Sequence, residues 1–188
     1  MIALGLRHIF LEIQGKPLVP RQTWRRAGGF YIEGMKTFRS YSEVLACIGQ
    51  EVAVSDWITI SQAQIQMFAD ATGDQQWIHT DPERAAKGPF GAPIAHGFLT
   101  LSLLPQFFES TFEIEGSKMG VNYGLNRVRF MAPVPVNSRL RARMTLQAAE
   151  RIEPNGIQMT WLVTVEREGG DKPVCVAESL ARSFGAPA

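Results

Sequence analysis

A change of periodicity near residue 119 constrains the fold of this sequence more than any other feature. Residues 97–112 are the most apolar part of the chain, and their apolar side chains are spread all round a helix. This pattern predicts a helix that is buried on nearly every side. Pro105 predicts a kink in that helix, because a proline in a helix interior removes a backbone donor.

After residue 119 the chain alternates between apolar and polar residues, as half-buried strands do. Turns rich in Pro, Asn and Gly separate four predicted strands, which are residues 121–131, 138–148, 157–166 and 174–184. An apolar helix followed by long antiparallel strands implies an α+β fold in which the sheet wraps around a central helix.

Composition narrows the class of protein. With 45% hydrophobic residues the chain can form a core, and its net charge of +1, without a basic stripe, gives no reason to expect a nucleic-acid partner. No apolar run reaches the roughly 18 residues that a membrane span requires. Cys47 and Cys175 match neither a metal spacing nor a disulfide framework, so we expect a cytoplasmic protein.

Residues 1–34 differ from the rest of the chain. They have poor periodicity, two prolines, a basic cluster and a Gly-Gly pair. Met35 then begins a segment that resembles the ordinary N-terminus of a protein. We predict a poorly ordered extension over residues 1–34 and one folded domain over residues 35–188.

A polar loop between two predicted helices contains the candidate chemistry. Residues 61–71 form a helical pattern, and Asp81 with Pro82 opens a second helix as N-cap and first residue. Between them lie Asp74 and His79. A histidine titrates near neutral pH and a neighbouring carboxylate can orient it, so this pair can hold and deprotonate one water.

The start of the apolar helix is the second candidate feature. Free backbone N–H groups at a helix N-terminus favour negative charge, and a thioester carbonyl placed there would be polarised. Gly97 lets a substrate approach the backbone closely because it has no Cβ.

Residues 73–79, residues 93–97 and the segment 123–130 together resemble the signature of the MaoC-like dehydratases, which include (R)-specific enoyl-CoA hydratases and a nodulation-protein-N-like subgroup. The resemblance covers roughly residues 36–184. It implies a hot dog fold in which the helical segment 61–87 overhangs one end, and a homodimer or higher homo-oligomer. It also implies that Asp74 and His79 are the catalytic pair and that the Gly97 N–H forms the oxyanion hole.

The activity implied by this resemblance is that of a lyase in fatty acid metabolism. Such an enzyme adds water to a trans-2-enoyl-CoA to give an (R)-3-hydroxyacyl-CoA, or catalyses the reverse reaction. The thioester is carried by coenzyme A or by an acyl carrier protein. We expect no metal and no separate cofactor, because coenzyme A is part of the substrate.

Six further residues are candidates for substrate binding, namely Gln76, Trp77, Ile78, His96, Phe98 and Arg127. Trp77 stands where the characterised hydratases commonly have proline, and it is either a wall of the acyl pocket or a core residue. His96 either orients the helix start or is purely structural. Arg127 either meets a coenzyme A phosphate or belongs to a solvated strand face.

Two other functions fit the same fold. A hot-dog thioesterase generally places a carboxylate on or near the central helix, whereas residues 97–108 contain none and Glu109 lies far along. A non-catalytic acyl-thioester-binding protein is the other alternative, and the departure at Trp77 is its main support.

Overall fold

Residues 35–186 are those that the structure, a computed structural model, describes. The predicted extension of residues 1–34 lies outside them. In chain order the elements are β1 (Lys36–Phe38), α1 (Tyr41–Leu45), β2 (Glu51–Val54), β3 (Ile58–Thr59), α2 (Gln62–Thr72), α3 (Trp77–Thr80), α4 (Pro82–Ala86), α5 (Gly97–Ser102), α6 (Leu104–Glu109), β4 (Phe112–Ile114), β5 (Met119–Phe130), β6 (Arg139–Ile152), β7 (Gly156–Arg167) and β8 (Cys175–Phe184).

The main sheet is antiparallel and has the strand order β2-β6-β7-β8-β5, with β3 pairing β6 as well. The four long strands of the sequence pattern are therefore present, but β5 pairs with β8 and forms an edge, although β6 is the next long strand after it. The short strands β1 and β4 form a separate parallel pair that the sequence did not predict.

Alternation along β6 and β7 builds the core. The inward-facing residues of these strands are almost fully buried and share one hydrophobic cluster with the residues of α5 and α6 that face the sheet. The β6 and β7 members are Leu140, Ala142, Met144, Leu146, Ile157, Met159, Trp161, Val163 and Val165, and those of α5, α6 and the residue between them are Leu99, Leu103, Leu104 and Phe107. The sheet thus packs around the apolar helices, as the periodicity predicts.

The apolar segment is interrupted near Pro105, where the sequence predicted a kink. It forms two six-residue helices, α5 and α6, which meet at Leu103, so the central helix is divided rather than continuous, and Pro105 lies in the first turn of α6. Proline is tolerated in a first turn because its missing N–H would be unpaired there anyway. The apolar side chains of the segment are buried or half-buried, as predicted, with the exception of Phe98, which is 67% exposed.

Caps and short strands set the boundaries of the segment before the groove. Ser40 is the N-cap of α1, and the short strands β2 and β3 follow this helix. Helix α2 begins as predicted, after Ser61, which forms a capping box with Gln64. The expected loop 72–80 contains one helical turn, α3.

The link between β5 and β6 fixes the start of α5. Because these strands lie apart in the sheet, residues 131–138 must connect them, and on the way they pair with the chain that precedes α5. The Ala95 N–H donates to the Val134 carbonyl and the Val136 N–H donates to the Pro93 carbonyl, each at 2.8 Å. His96 and Gly97 follow directly and are positioned by this pairing.

None of the described helices is long and apolar enough to cross a membrane; the longest of them, α2, has 11 residues.

Candidate active site

Asp74 lies just beyond the end of α2. Gly73 is the C-cap of this helix, with a left-handed φ of 80° that glycine adopts without steric cost, so the chain turns away from the helix axis. The Asp74 side chain is 56% exposed. Its Oδ1 accepts a long hydrogen bond of 3.4 Å from the Gln76 N–H.

His79 lies on α3 and is buried, with 6% of its surface exposed. Its Nδ1 lies 2.6 Å from the carbonyl oxygen of Ile94, which can only accept a hydrogen bond. Nδ1 must therefore carry the proton, and Nε2 keeps a free lone pair while the ring is neutral. The Ile94 N–H also donates to the Ile78 carbonyl at 3.0 Å, so residue 94 holds α3 through both of its backbone groups.

His96 is the residue immediately before α5 and is buried beside His79. The two imidazole rings stack with centroids 3.7 Å apart and an interplanar angle of 26°. Nε2 of His96 lies 2.9 Å from the backbone carbonyl of Asp74 and must donate to it. The other nitrogen, Nδ1, is buried, and none of the described residues forms a hydrogen bond with it.

Gly97 begins α5 and lies against an aromatic ring. A Cβ at this position would come within 2.8 Å of the Phe130 ring, so a larger residue would displace that ring. The Thr100 N–H makes the bond to the His96 carbonyl that opens the helix, and the N–H groups of residues 97 and 98 precede it. Since α5 has only six residues, we expect these individual N–H groups, rather than a helix dipole, to provide any positive potential here.

These residues line one groove of about 180 Å3, which we call the active-site groove. Its lining residues are Phe68, Thr72, Asp74, His79, His96, Gly97 and Phe98. One ligand atom from each of Asp74, His79 and His96 lies within 4.8 Å of the others. One water can bridge two groups at such a distance, since two hydrogen bonds of about 2.8 Å span it.

Burial lowers the pKa of His79 below its ordinary value, because desolvation disfavours the charged ring. The hydrogen bond to the Ile94 carbonyl opposes this effect, the neighbouring His96 adds to it, and the Asp74 carboxylate opposes it. The net result is a neutral imidazole at neutral pH, which is the form that acts as a general base.

The same three residues are a conceivable metal site, but their geometry favours hydrogen bonding. The two rings stack with centroids 3.7 Å apart and an interplanar angle of 26°. Their lone pairs therefore lie in nearly parallel planes and do not readily converge on one ion. Nε2 of His96 is also occupied as a donor to the Asp74 carbonyl. The side chains present therefore do not fit a shared metal without rearrangement of a ring.

Four predicted substrate contacts lie outside the groove lining. Trp77 packs against Gly88, and the Arg84 guanidinium lies 4.4 Å from its ring centre. Gln76 is exposed before α3, and the backbone of Ile78 pairs with Ile94. Arg127 is exposed on β5 opposite Glu178. Of the six candidates, His96 and Phe98 line the groove.

Three contributors were missed in the sequence. Phe68 and Thr72, one turn apart near the end of α2, form a wall of the groove, and the Ile94 carbonyl orients His79. The helical spacing of four residues between Phe68 and Thr72 was an available signal, since it places both on the face that leads to Asp74. The role of a backbone carbonyl leaves no signal in residue types.

The fold and the groove define an α+β hot-dog protein with an Asp-His pair beside the start of α5. The chain belongs to the family of the MaoC like domain, whose profile matches residues 43–168. It is 54% identical over 148 residues to 3-hydroxyacyl-thioester dehydratase Z of Mycobacterium tuberculosis, an alignment that covers 79% of this chain and 98% of that relative.

Two further comparisons agree. The chain is 49% identical to nodulation protein N of Rhizobium leguminosarum bv. viciae, over 73% of this chain and 87% of the relative. The R-hydratase PhaJ1 of Pseudomonas aeruginosa superposes with a TM-score of 0.60 at 24% identity, covering 80% of this chain and 88% of that structure. The recognition of the family and of the hot dog fold is thus confirmed.

Proposed function

We propose that this chain, a hydratase/dehydratase of acyl thioesters, adds water to a trans-2-enoyl-CoA to give an (R)-3-hydroxyacyl-CoA, and catalyses the reverse dehydration. One observation carries the proposal. A carboxylate oxygen of Asp74 and a ring nitrogen of His79 lie within 4.8 Å of each other, in a groove that the start of α5 also lines. The Ile94 carbonyl holds the proton on Nδ1 of that ring, so Nε2 is the nitrogen that can accept a proton from water.

The reaction follows from the roles of these groups. Asp74 and His79 hold a water between them, and His79 Nε2 takes one of its protons. The water oxygen attacks C3 of the enoyl chain, and the electrons move to the thioester oxygen. The Gly97 N–H stabilises the resulting enolate, and the pair then returns a proton to C2. No separate cofactor takes part, since coenzyme A belongs to the substrate.

Crotonyl-CoA tests this assignment directly. We expect wild-type protein to consume the enoyl absorbance and to form the (R) product. Asp74→Asn and His79→Gln should each lower turnover about 100-fold or more, because each removes a proton-transfer group. Asp81→Asn is the matched control, since Asn serves as the α4 N-cap as well as Asp does.

Each other outcome has its own meaning. Wild-type turnover in both variants would refute the catalytic assignment. Release of free thiol would indicate a thioesterase, and binding without a change in absorbance would indicate a non-catalytic protein. A series of enoyl thioesters on coenzyme A and on acyl carrier protein would then define chain length and carrier.

We further propose that two copies pair along β5. All but one of the twelve residues of this edge strand are exposed, and several large apolar side chains lie on it or next to it. They are Met119, Val121, Tyr123, Leu125, Phe130 and Met131, together with Phe98 at the mouth of the groove. A second copy would cover the unpaired strand edge and this apolar surface, and would extend the wall of the groove.

A cytoplasmic location is also proposed, on the basis of the cysteines. Cys47 and Cys175 are both unpaired, as is common in a reducing compartment. Burial raises the pKa of the Cys175 thiol to about 11, so this core residue is unreactive at neutral pH.

A further inference from the structure

His96 contacts both members of the proposed catalytic pair. Its ring stacks on that of His79, and its Nε2–H donates to the backbone carbonyl of Asp74 at 2.9 Å. On the other side its ring lies 5.0 Å from that of Phe68. With 3% of its surface exposed, the residue is held between α2, α3 and the start of α5.

An apolar ring would fill this site without an unpaired polar atom. In a neutral ring that donates through Nε2, Nδ1 can only accept a hydrogen bond, and none of the described residues donates to this buried nitrogen. Buried polar atoms are normally paired, so a residue that leaves one unpaired requires an explanation other than packing. The hydrogen bond to Asp74 supplies that explanation.

Asp74 needs such support. Its N–H bond to Thr72 Oγ1 is 3.5 Å long, and the bond from the Gln76 N–H to its carboxylate is 3.4 Å. Both lie beyond the usual range for strong N–H···O bonds. Of the hydrogen bonds that the described residues make to Asp74, the one from His96 is the shortest.

We propose that His96 is a positioning residue, which ties the Asp74 main chain to the His79 ring so that one water can reach both. This inference rests on the proposed function, because it assumes that the pair activates water. His96 itself makes no contact with the substrate in this role. It acts through the placement of the carboxylate, and a misplacement of about 1 Å can cost about 100-fold in rate.

Two substitutions separate the hydrogen bond from the ring. His96→Phe keeps an aromatic ring against His79 but removes the donor, while His96→Gln removes the ring and keeps a donor near the position of Nε2. We expect the Phe variant to lose at least about 10-fold in kcat with KM and melting temperature little changed, and the Gln variant to recover kcat to within about 3-fold of wild type.

Hydrogen exchange gives a second readout that does not depend on turnover. The amides of residues 73–76 should exchange faster in the Phe variant than in wild type, and the Gln variant should restore their protection. His96→Met serves in place of the Phe variant if that variant does not fold, since it also fills the space without a donor.

Two results would overturn the proposal. One is wild-type kcat and unchanged exchange in the Phe variant. The other is an equal loss of kcat in the Phe and Gln variants together with a lowered melting temperature, which would show a purely structural role. If the wild-type protein itself fails to hydrate enoyl thioesters, the proposed function fails, while exchange at residues 73–76 still decides whether His96 positions Asp74.

Discussion

His79 illustrates how a backbone group determines the chemistry of a side chain. The Ile94 carbonyl holds the proton on Nδ1, so the ring presents a bare Nε2, and burial lowers the pKa so that the ring stays neutral. The ordinary pKa of histidine is about 6.5, so a solvent-exposed histidine at that pH would be charged half of the time. The fold therefore supplies both the tautomer and the protonation state that a general base requires.

This lowered pKa predicts a dependence of stability on pH. Between the folded pKa and about 6.5 the unfolded chain binds a proton at His79 that the folded chain does not. The contribution of His79 to stability is therefore complete above about pH 6.5 and is lost as the pH falls toward the lowered pKa. Between pH of about 7.5 and 5.5, wild type should lose more unfolding free energy in urea than His79→Gln.

Kinetics provide the independent check on this residue. In the pH profile of kcat/KM, the midpoint of the acid limb should lie below about pH 6.5, because the free enzyme loses its neutral base only when His79 is protonated. Equal losses of stability in wild type and in His79→Gln, together with an acid limb above that value, would contradict the lowered pKa.

At the scale of elements, the cap residues of α2 position one side of the groove. Ser61 accepts from the Gln64 N–H and the Gln64 side chain accepts from the Ser61 N–H, while Gly73 ends the helix in the left-handed region. Phe68 and Thr72 are then carried to the groove, and Asp74 follows. Local sequence signals thus determine where one wall of the site begins and ends.

Removal of the N-cap should measurably weaken this element. Ser61→Ala leaves an N–H at the start of α2 without its partner and should lower the free energy of unfolding by about 1 kcal/mol. Ser102→Ala is the control, because Ser102 is exposed within α5 and bonds to its own helix at Phe98, so its loss should change stability by less than about 0.5 kcal/mol. Equal effects in urea unfolding would show that the capping box contributes nothing.

At the scale of the whole molecule, the antiparallel sheet is well covered on its inner face and open along β5. Phe98 and Phe130 pack edge to face at 5.6 Å between centroids, at the point where this open edge meets the groove. Dimer formation and completion of the groove are therefore linked in the proposed assembly.

A charge placed on β5 tests this link. Leu125→Glu should shift the mass measured by light scattering from dimer toward monomer and should also lower turnover, because a buried unpaired carboxylate in the interface is costly. Met67→Glu introduces the same charge at an exposed apolar residue of α2 and should leave the mass unchanged. A dimeric Leu125→Glu protein, or a monomeric wild type, would exclude pairing along this strand.

Much of this arrangement could be predicted from local pattern. The period of two marked the four long strands, Ser61 and Asp81 marked two helix starts, and the motif around Asp74 and His79 indicated the family. These features depend on neighbours within a few residues, so the sequence contains them directly.

Other features depend on residues far apart in the chain. The sequence alone determined the apolar segment and its proline, but packing decided that this segment forms two helices and leaves Phe98 exposed. Trp77 was placed against Gly88, away from the groove, by the fold of α3 and α4. Three other contacts also join residues that are distant in sequence: the pairing of β5 with β8, the hydrogen bond between His79 and the Ile94 carbonyl, and the stacking of His96 on His79. Only the folded chain brings such groups together.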